Sequence, residues 1–91
     1  MSYNVRYEKK AQKNLKKLDK FQAKIIMNWV EKHLINCDDP RIYGKGLTRD
    51  KSDCWRYRVG DYRIIADIKD SEVTILILEV GHRRDIYKKI R

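Results

Sequence analysis

The spacing of apolar positions changes several times along the chain, and each change predicts an element. Tyr3, Val5 and Tyr7 alternate with Asn4 and Arg6, the pattern of a short strand over residues 3–7. From Glu8 the spacing becomes helical. Ala11, Leu15 and Leu18 fall on one face, with Lys9, Lys10, Lys13, Lys16 and Lys17 mostly outside. Asp19 caps a second helix, with Gln22 as a weak capping-box partner. That helix carries Ile26, Trp29, Val30, His33, Leu34 and Cys37 on one face. It should end before Asp38-Asp39-Pro40, because proline disfavours helix in the residue before it. Residues 38–52 are polar and contain glycine. They read as the one long connection, with room for a short edge strand.

Period-two alternation returns at Asp53-Cys-Trp-Arg-Tyr-Arg-Val-Gly-Asp-Tyr-Arg63. Gly60-Asp61 is a two-residue turn signal, so this stretch reads as a β-hairpin. Closing it there pairs Val59 with Tyr62, Arg58 with Arg63, Tyr57 with Ile64 and Arg56 with Ile65. Trp55, Tyr57, Val59, Tyr62, Ile64 and Ala66 then share a core face. Arg56, Arg58, Arg63 and Ile65 share the other, and a one-residue slip would bury the arginines. Like charges directly opposite each other destabilise a sheet. A fold that keeps Arg58 opposite Arg63 implies an anion between them, and a phosphate fits.

After a turn at Asp70-Ser71, residues 72–80 form an aliphatic strand, apolar on nearly both faces, which predicts a central position. Continuing the hairpin register pairs Arg63 with Leu78 and Ile65 with Leu76. Arg83 then leaves the sheet near Arg58 and Arg63. A short helix over residues 84–90 places Tyr87 one turn from Arg83. The predicted fold class is α+β, a single domain over residues 1–91. It has an N-terminal strand, a helix pair, a three-stranded antiparallel meander and a short C-terminal helix.

Composition narrows the partners. The 91 residues carry 22 Lys+Arg against 13 Asp+Glu, a net charge of +9. This favours nucleic acid or an acidic protein as partner, against a merely soluble basic domain. Cys37 and Cys54 lack metal-ligand spacing, and both read as free thiols in a reducing cytosol. No signal peptide or bilayer-length apolar run is present, so the expected location is the cytoplasm, with no membrane partner. Gly44-Lys45-Gly46 lacks the spacing of a phosphate-binding P-loop. No metal or other cofactor is expected.

Trp-Arg-Tyr-Arg-Val-Gly-Asp-Tyr-Arg-Ile-Ile (55–65), an acidic turn, an aliphatic strand and Val-Gly-His-Arg-Arg-Asp-Ile-Tyr (80–87) resemble the RelE branch of the RelE/ParE toxin superfamily. The order of elements matches over essentially the whole chain. The hairpin motif is common to both branches, and the Gly-His-Arg-Arg-Asp-Ile-Tyr ending favours RelE. The resemblance implies an mRNA interferase, a toxin that enters the ribosomal A site and cuts mRNA. It also implies a cognate acidic antitoxin, with operator DNA contacted only through that antitoxin. The family's site falls on Arg56 and Arg58, on Arg63, on Arg83 and on Tyr87. RelE has lysines at the first two positions. Arginine there keeps phosphate binding but cannot give up its proton near neutral pH. His82 is an addition that RelE lacks and some relatives carry.

Metal-independent RNA cleavage uses the 2′-hydroxyl as nucleophile. It needs a base, positive charge on the transition state and an acid for the leaving 5′-oxygen. Arg58, Arg63 and Arg83 supply charge in bidentate geometry, with Arg56 and Arg84 as further phosphate ligands. Tyr87 is the favoured base, and neighbouring cations would ease its ionisation. His82 is a candidate acid or substrate-orienting group, or a structural histidine bonding the tail. The plain alternative is a solvated sheet face, its arginines paired with Asp53, Asp61 and Asp67 at little energetic consequence. His33, Trp29 and Trp55 read as packing residues and Cys54 as a small structural side chain. The lysines of residues 9–24 read as a solvated helix face. The alternative function is a ParE-like inhibitor of DNA gyrase without nuclease activity.

Overall fold

The computed structural model describes residues 2–49 and 52–85. Strand β1 (Asn4–Tyr7) leads into helix α1 (Lys9–Lys17) and helix α2 (Lys20–His33). Four strands follow: β2 (Lys45–Arg49), β3 (Ser52–Val59), β4 (Tyr62–Lys69) and β5 (Thr74–His82). They form one five-stranded sheet in the order β1-β5-β4-β3-β2.

The helices form for the reasons their spacing implies. The Asp19 carboxylate accepts the Gln22 amide at 3.2 Å, which satisfies one of the unpaired donors at the start of α2. Ile26, Val30 and Leu34, one turn apart, are fully buried, as is Ala11 of α1. They pack on Tyr57, Val59, Ile64, Ala66, Ile75, Ile77 and Val80 from the inner face of the sheet. Tyr3, Val5 and Tyr7 join this core from β1, and Trp29 and Trp55 pack against its margin.

The sheet corrects the expected three-stranded meander. It has five strands and is mixed, because β1 runs parallel to β5, with Val5 opposite Ile75. The pairing is non-local, and no turn in the sequence announces it. It does place β5 between two neighbours, which explains its apolar residues on both faces. At the far edge, β2 pairs antiparallel with β3, Lys45 opposite Arg56 and Leu47 opposite Cys54.

The β3–β4 hairpin has the expected register, Arg58 opposite Arg63 and Tyr57 opposite Ile64. Gly60 has φ +61°, the positive value required at the first central residue of a II′ turn. The register of β5 differs from the expected one. Arg63 lies opposite Gly81, not Leu78, and Ile65 opposite Glu79, not Leu76. Two local features cause the slip. Asp70–Glu72 forms a 3-10 turn that ends in Val73 at φ 50°, so the connection is longer than a two-residue turn and the strand starts at Thr74. A β-bulge then falls where β4 passes from Ile65 to Ala66. A strand apolar on both faces carries no alternation to reveal either shift.

Two further contacts lock α1 to β5. The Lys10 ammonium reaches the buried Glu79 carboxylate at 3.2 Å. The Asn14 side-chain oxygen accepts the Val80 amide at 3.0 Å. Cys54 and Ile65 form a second small cluster with Leu47 and Leu78, on the face opposite the helices.

Candidate functional site: a cationic face on the β-sheet

Alternation along β3 places Cys54, Arg56 and Arg58 on the outer face of the sheet. Ile65 and Arg63 join them from β4, and Lys45 from β2. The outer face is thus apolar at Cys54 and Ile65, and cationic toward the Gly60 turn. Here Gly44, Lys45, Arg56, Arg58 and Arg63 line a shallow pocket of about 220 Å³. Four of its five lining residues are cations.

Its arginines differ in setting. Arg63 is only 8% exposed. Its Nη1 donates to the Gly60 carbonyl at 3.4 Å and the Tyr62 carbonyl at 3.3 Å. The turn therefore holds the guanidinium in place. Arg56 is half-buried, and Arg58 is exposed at the rim.

The turn also fixes where the C-terminal segment departs. The Arg83 amide donates to the Asp61 carbonyl at 2.9 Å. Arg83 thus leaves the sheet beside the Gly60–Asp61 turn, as its sequence position implied, and its side chain is exposed. Residues 83–85 begin a helical turn, and Arg84 is exposed as well. Tyr87 and most of the expected terminal helix lie outside the described residues.

His82 is placed differently from the arginines. It lies opposite Tyr62 and shares the helix-side face with it, their rings 5.5 Å apart in an edge-on contact. Its Nδ1 accepts the Arg84 amide at 3.2 Å, so it ties down the start of the tail. A separate cleft of about 270 Å³ includes His82, Tyr62, Asn14 and Leu18 among its lining residues. Of the residues singled out from sequence, Arg56, Arg58 and Arg63 share the pocket, Arg83 borders its turn, and His82 faces away.

The packing residues behave as such. His33 stacks on Trp29 with centroids 4.6 Å apart, and its Nδ1 lies 3.0 Å from the Trp29 carbonyl. Cys54 is buried in the small outer cluster. Burial pushes the Cys37 thiol up, against thiolate chemistry. Burial likewise pushes the Tyr57 phenol far up, and it donates to the Pro40 carbonyl at 2.6 Å. Among the described residues, no cluster of His, Cys, Asp and Glu suited to a metal is present. None of their helices is long and apolar enough to cross a membrane.

One functional candidate was missed from sequence. In the sequence Lys45 stands only in the Gly44-Lys45-Gly46 stretch that lacks P-loop spacing, because no local signal positions β2. Its pairing with Arg56 becomes visible only once β2 is docked on β3.

This arrangement offers the charge to bind a phosphodiester. The family model of the ParE toxin of type II toxin-antitoxin systems, parDE, matches residues 5–87. The curated Toxin RelG of Mycobacterium tuberculosis is 33% identical over 89 residues, covering 98% of this chain and all of that protein. The chain belongs to the RelE/ParE toxin superfamily. The toxin of the RelBE2 toxin-antitoxin complex from M. tuberculosis superposes with a TM-score of 0.80 at 30% identity, over 91% of this chain and 93% of that one. The archaeal RelE-RelB complex of Pyrococcus horikoshii gives 0.69 at 25%, over 91% and 97%. The RelE/ParE chain described here is therefore a RelE-like toxin of a type II toxin-antitoxin system.

Proposed function

We propose that the protein is a ribosome-dependent endoribonuclease that cleaves mRNA in the A site and thereby stops translation. The observation that carries this reading is the cross-strand pair Arg58–Arg63 in a pocket whose other lining includes Arg56 and Lys45. A solvated neutral face would not place like charges opposite each other. A phosphodiester between them relieves the repulsion and accepts bidentate hydrogen bonds.

In the proposed reaction the substrate 2′-oxygen attacks the adjacent phosphorus, and the phosphorus–5′-oxygen bond breaks. Arg58 and Arg63 stabilise the negative charge that builds on the phosphoryl oxygens. Arg63, buried and held by two backbone carbonyls, is already oriented for this. Arg83 leaves the sheet at the same turn and offsets charge on the departing 5′-oxygen, which takes its proton from water and leaves a 2′,3′-cyclic phosphate on the other fragment. Tyr87 takes the 2′-hydroxyl proton, a role that rests on its position in the family motif. Arg84 contacts a neighbouring phosphate. His82 serves the site indirectly, by fixing the backbone from which Arg83 and Arg84 project. No step calls for a metal ion.

The partner in the resting state is a small acidic antitoxin. The RelE-RelB complex among the relatives and the +9 charge of this chain support it. The complex resides in the cytoplasm, with ribosome and mRNA as the targets of the free toxin, and it reaches operator DNA through the antitoxin. In a translating extract, Arg63→Ala, Arg83→Ala and Tyr87→Phe should each lower mRNA cleavage while circular dichroism shows a folded protein. Undiminished cleavage by all three would remove the assigned site.

A second reading, inhibition of DNA gyrase, has one observation in its favour: the matching family model is that of ParE. A supercoiling assay distinguishes it, since a ribonuclease of this kind leaves gyrase untouched.

A further inference from the structure

The two histidines of the chain turn Nδ1 toward opposite kinds of partner. His33 Nδ1 lies 3.0 Å from the Trp29 carbonyl oxygen, which can only accept, so this nitrogen carries the proton. His82 Nδ1 accepts the Arg84 amide at 3.2 Å, so it carries none, and the proton of the neutral ring sits on Nε2. Adding a proton therefore leaves the His33 contact intact. At His82 it converts the acceptor into a donor, and the bond to Arg84 is lost.

The position of His82 makes that loss consequential. It is the last residue of β5, and a helical turn begins at Arg83. A side chain that accepts the amide of the second residue of such a turn is an N-cap, and it satisfies a donor that the turn itself leaves unpaired. A positive ring at this end is also unfavourable to the dipoles of the turn. Tyr62 holds the ring for the role, opposite it on β4 and edge-on at 5.5 Å. The bond from the Arg83 amide to the Asp61 carbonyl is made by backbone alone and does not change with pH. Between them the two bonds set how the chain carrying Arg83, Arg84 and, further along the sequence, Tyr87 leaves the sheet.

Charges of both signs border the ring. Lys17 from α1, Glu79 from β5 and Asp85 from the helical turn line the same cleft as His82 and Tyr62. The Glu79 carboxylate is met by Lys10 at 3.2 Å, and Arg83 and Arg84 are exposed on the turn.

We propose that His82 is a proton-sensitive latch on the C-terminal segment. Neutral, it caps the turn and positions Arg83 and Arg84. Protonated, it releases them. His82 is thus a positioning residue, and the consequence for catalysis rests on the nuclease reading, whereas the latch does not.

The test follows the wild-type protein by NMR between about pH 7.5 and pH 5, the range in which histidines ordinarily exchange their proton. At the upper end the long-range proton–nitrogen spectrum should show the His82 proton on Nε2. Protection of the Arg84 amide, taken relative to its intrinsic exchange rate, should fall about fivefold on acidification, the scale of one helix cap. The fall should follow the His82 ring signals and not those of His33. His82→Asn replaces the ring with an N-cap whose oxygen accepts at any of these pH values, and its Arg84 protection should stay level. His82→Ala should show the low value throughout. A proton on Nδ1 at neutral pH, or Arg84 protection that stays level through the His82 titration of the wild-type protein, overturns the latch. On programmed ribosomes, cleavage by the wild-type protein relative to His82→Asn should fall a few-fold from about pH 7.5 to pH 6. A pH-independent ratio overturns the positioning role, and no cleavage by the wild-type protein at either pH counts against the nuclease reading, while the Arg84 measurement decides the latch by itself.

Discussion

Arg58 and Arg63 stand directly opposite each other on neighbouring strands, one exposed and the other 8% exposed and held by the carbonyls of Gly60 and Tyr62. Like charges placed directly opposite each other destabilise a sheet. Arg58→Gln should therefore stabilise the free protein by about 0.2–1 kcal/mol. That corresponds to a rise in Tm of a few degrees for a domain of this size. The same variant should cut mRNA at least tenfold more slowly, since it loses a charge-assisted contact to the phosphate. Thermal unfolding in a non-phosphate buffer, beside cleavage in a translating extract, checks both halves. A clear fall in Tm would show that Arg58 is a structural residue.

Gly44 and Gly60 both have positive φ but differ in surroundings. A Cβ at Gly44 meets the Arg56 carbonyl, whereas one at Gly60 meets nothing within 4 Å. Gly44→Ala should destabilise the protein by about 2 kcal/mol or more and weaken RNA binding through displacement of Lys45. Gly60→Ala should cost less, about 1 kcal/mol, because it strains the turn backbone without any steric clash. Denaturant unfolding of the two variants gives the comparison, and equal losses would contradict it.

Tyr57 joins the sheet to the long connection through its hydroxyl, which donates to the buried Pro40 carbonyl. Tyr57→Phe removes the donor and strands the acceptor, at a cost of about 1–3 kcal/mol. Denaturant midpoints should show that loss with an unchanged slope, because the ring and its packing remain.

These predictions draw on parts of the molecule that were unequally legible in the sequence. The β3–β4 hairpin was readable because Gly60-Asp61 fixes the turn and Trp55, Tyr57 and Val59 fix the phase. The face of α2 was readable from Ile26, Val30 and Leu34, each a turn apart. Strand β5 was recognisable as central, yet its register was not, because residues 75–78 are apolar on both faces and hide the bulge. The parallel pairing of β1 with β5 spans the whole fold and has no local signal. Lys45 escaped for the same reason, since its partner Arg56 is defined only by the docking of β2. The faces of Arg56, Arg58 and Arg63 were legible. That of His82 was not assigned, because it depends on the β5 register.

Asp70 should confer an acid-sensitive component of stability. Arg41 forks onto its carboxylate at 3.1 and 3.0 Å, and the Tyr3 hydroxyl donates at 2.8 Å. The hydrogen bond from Arg41, followed by that from Tyr3, holds this carboxyl below its ordinary range. Its folded pKa is therefore lower than its unfolded one. The contribution is fully present above the unfolded value, near pH 4, and disappears as pH falls through the folded value. Asp70→Asn should lower Tm at neutral pH, and the difference from wild type should shrink below about pH 4. A difference that stays constant to strongly acid pH would show that the charge contributes nothing. The pair is exposed, so added salt should also reduce the effect.

The most direct test of the account is to add the purified protein to a cell-free translation reaction and map mRNA 5′ ends by primer extension, beside a control without ribosomes. The account predicts new ends that appear only with ribosomes and fall in frame with codons. An intact message in both reactions, together with inhibited gyrase supercoiling, would contradict it and assign the chain to the ParE-like mode of action.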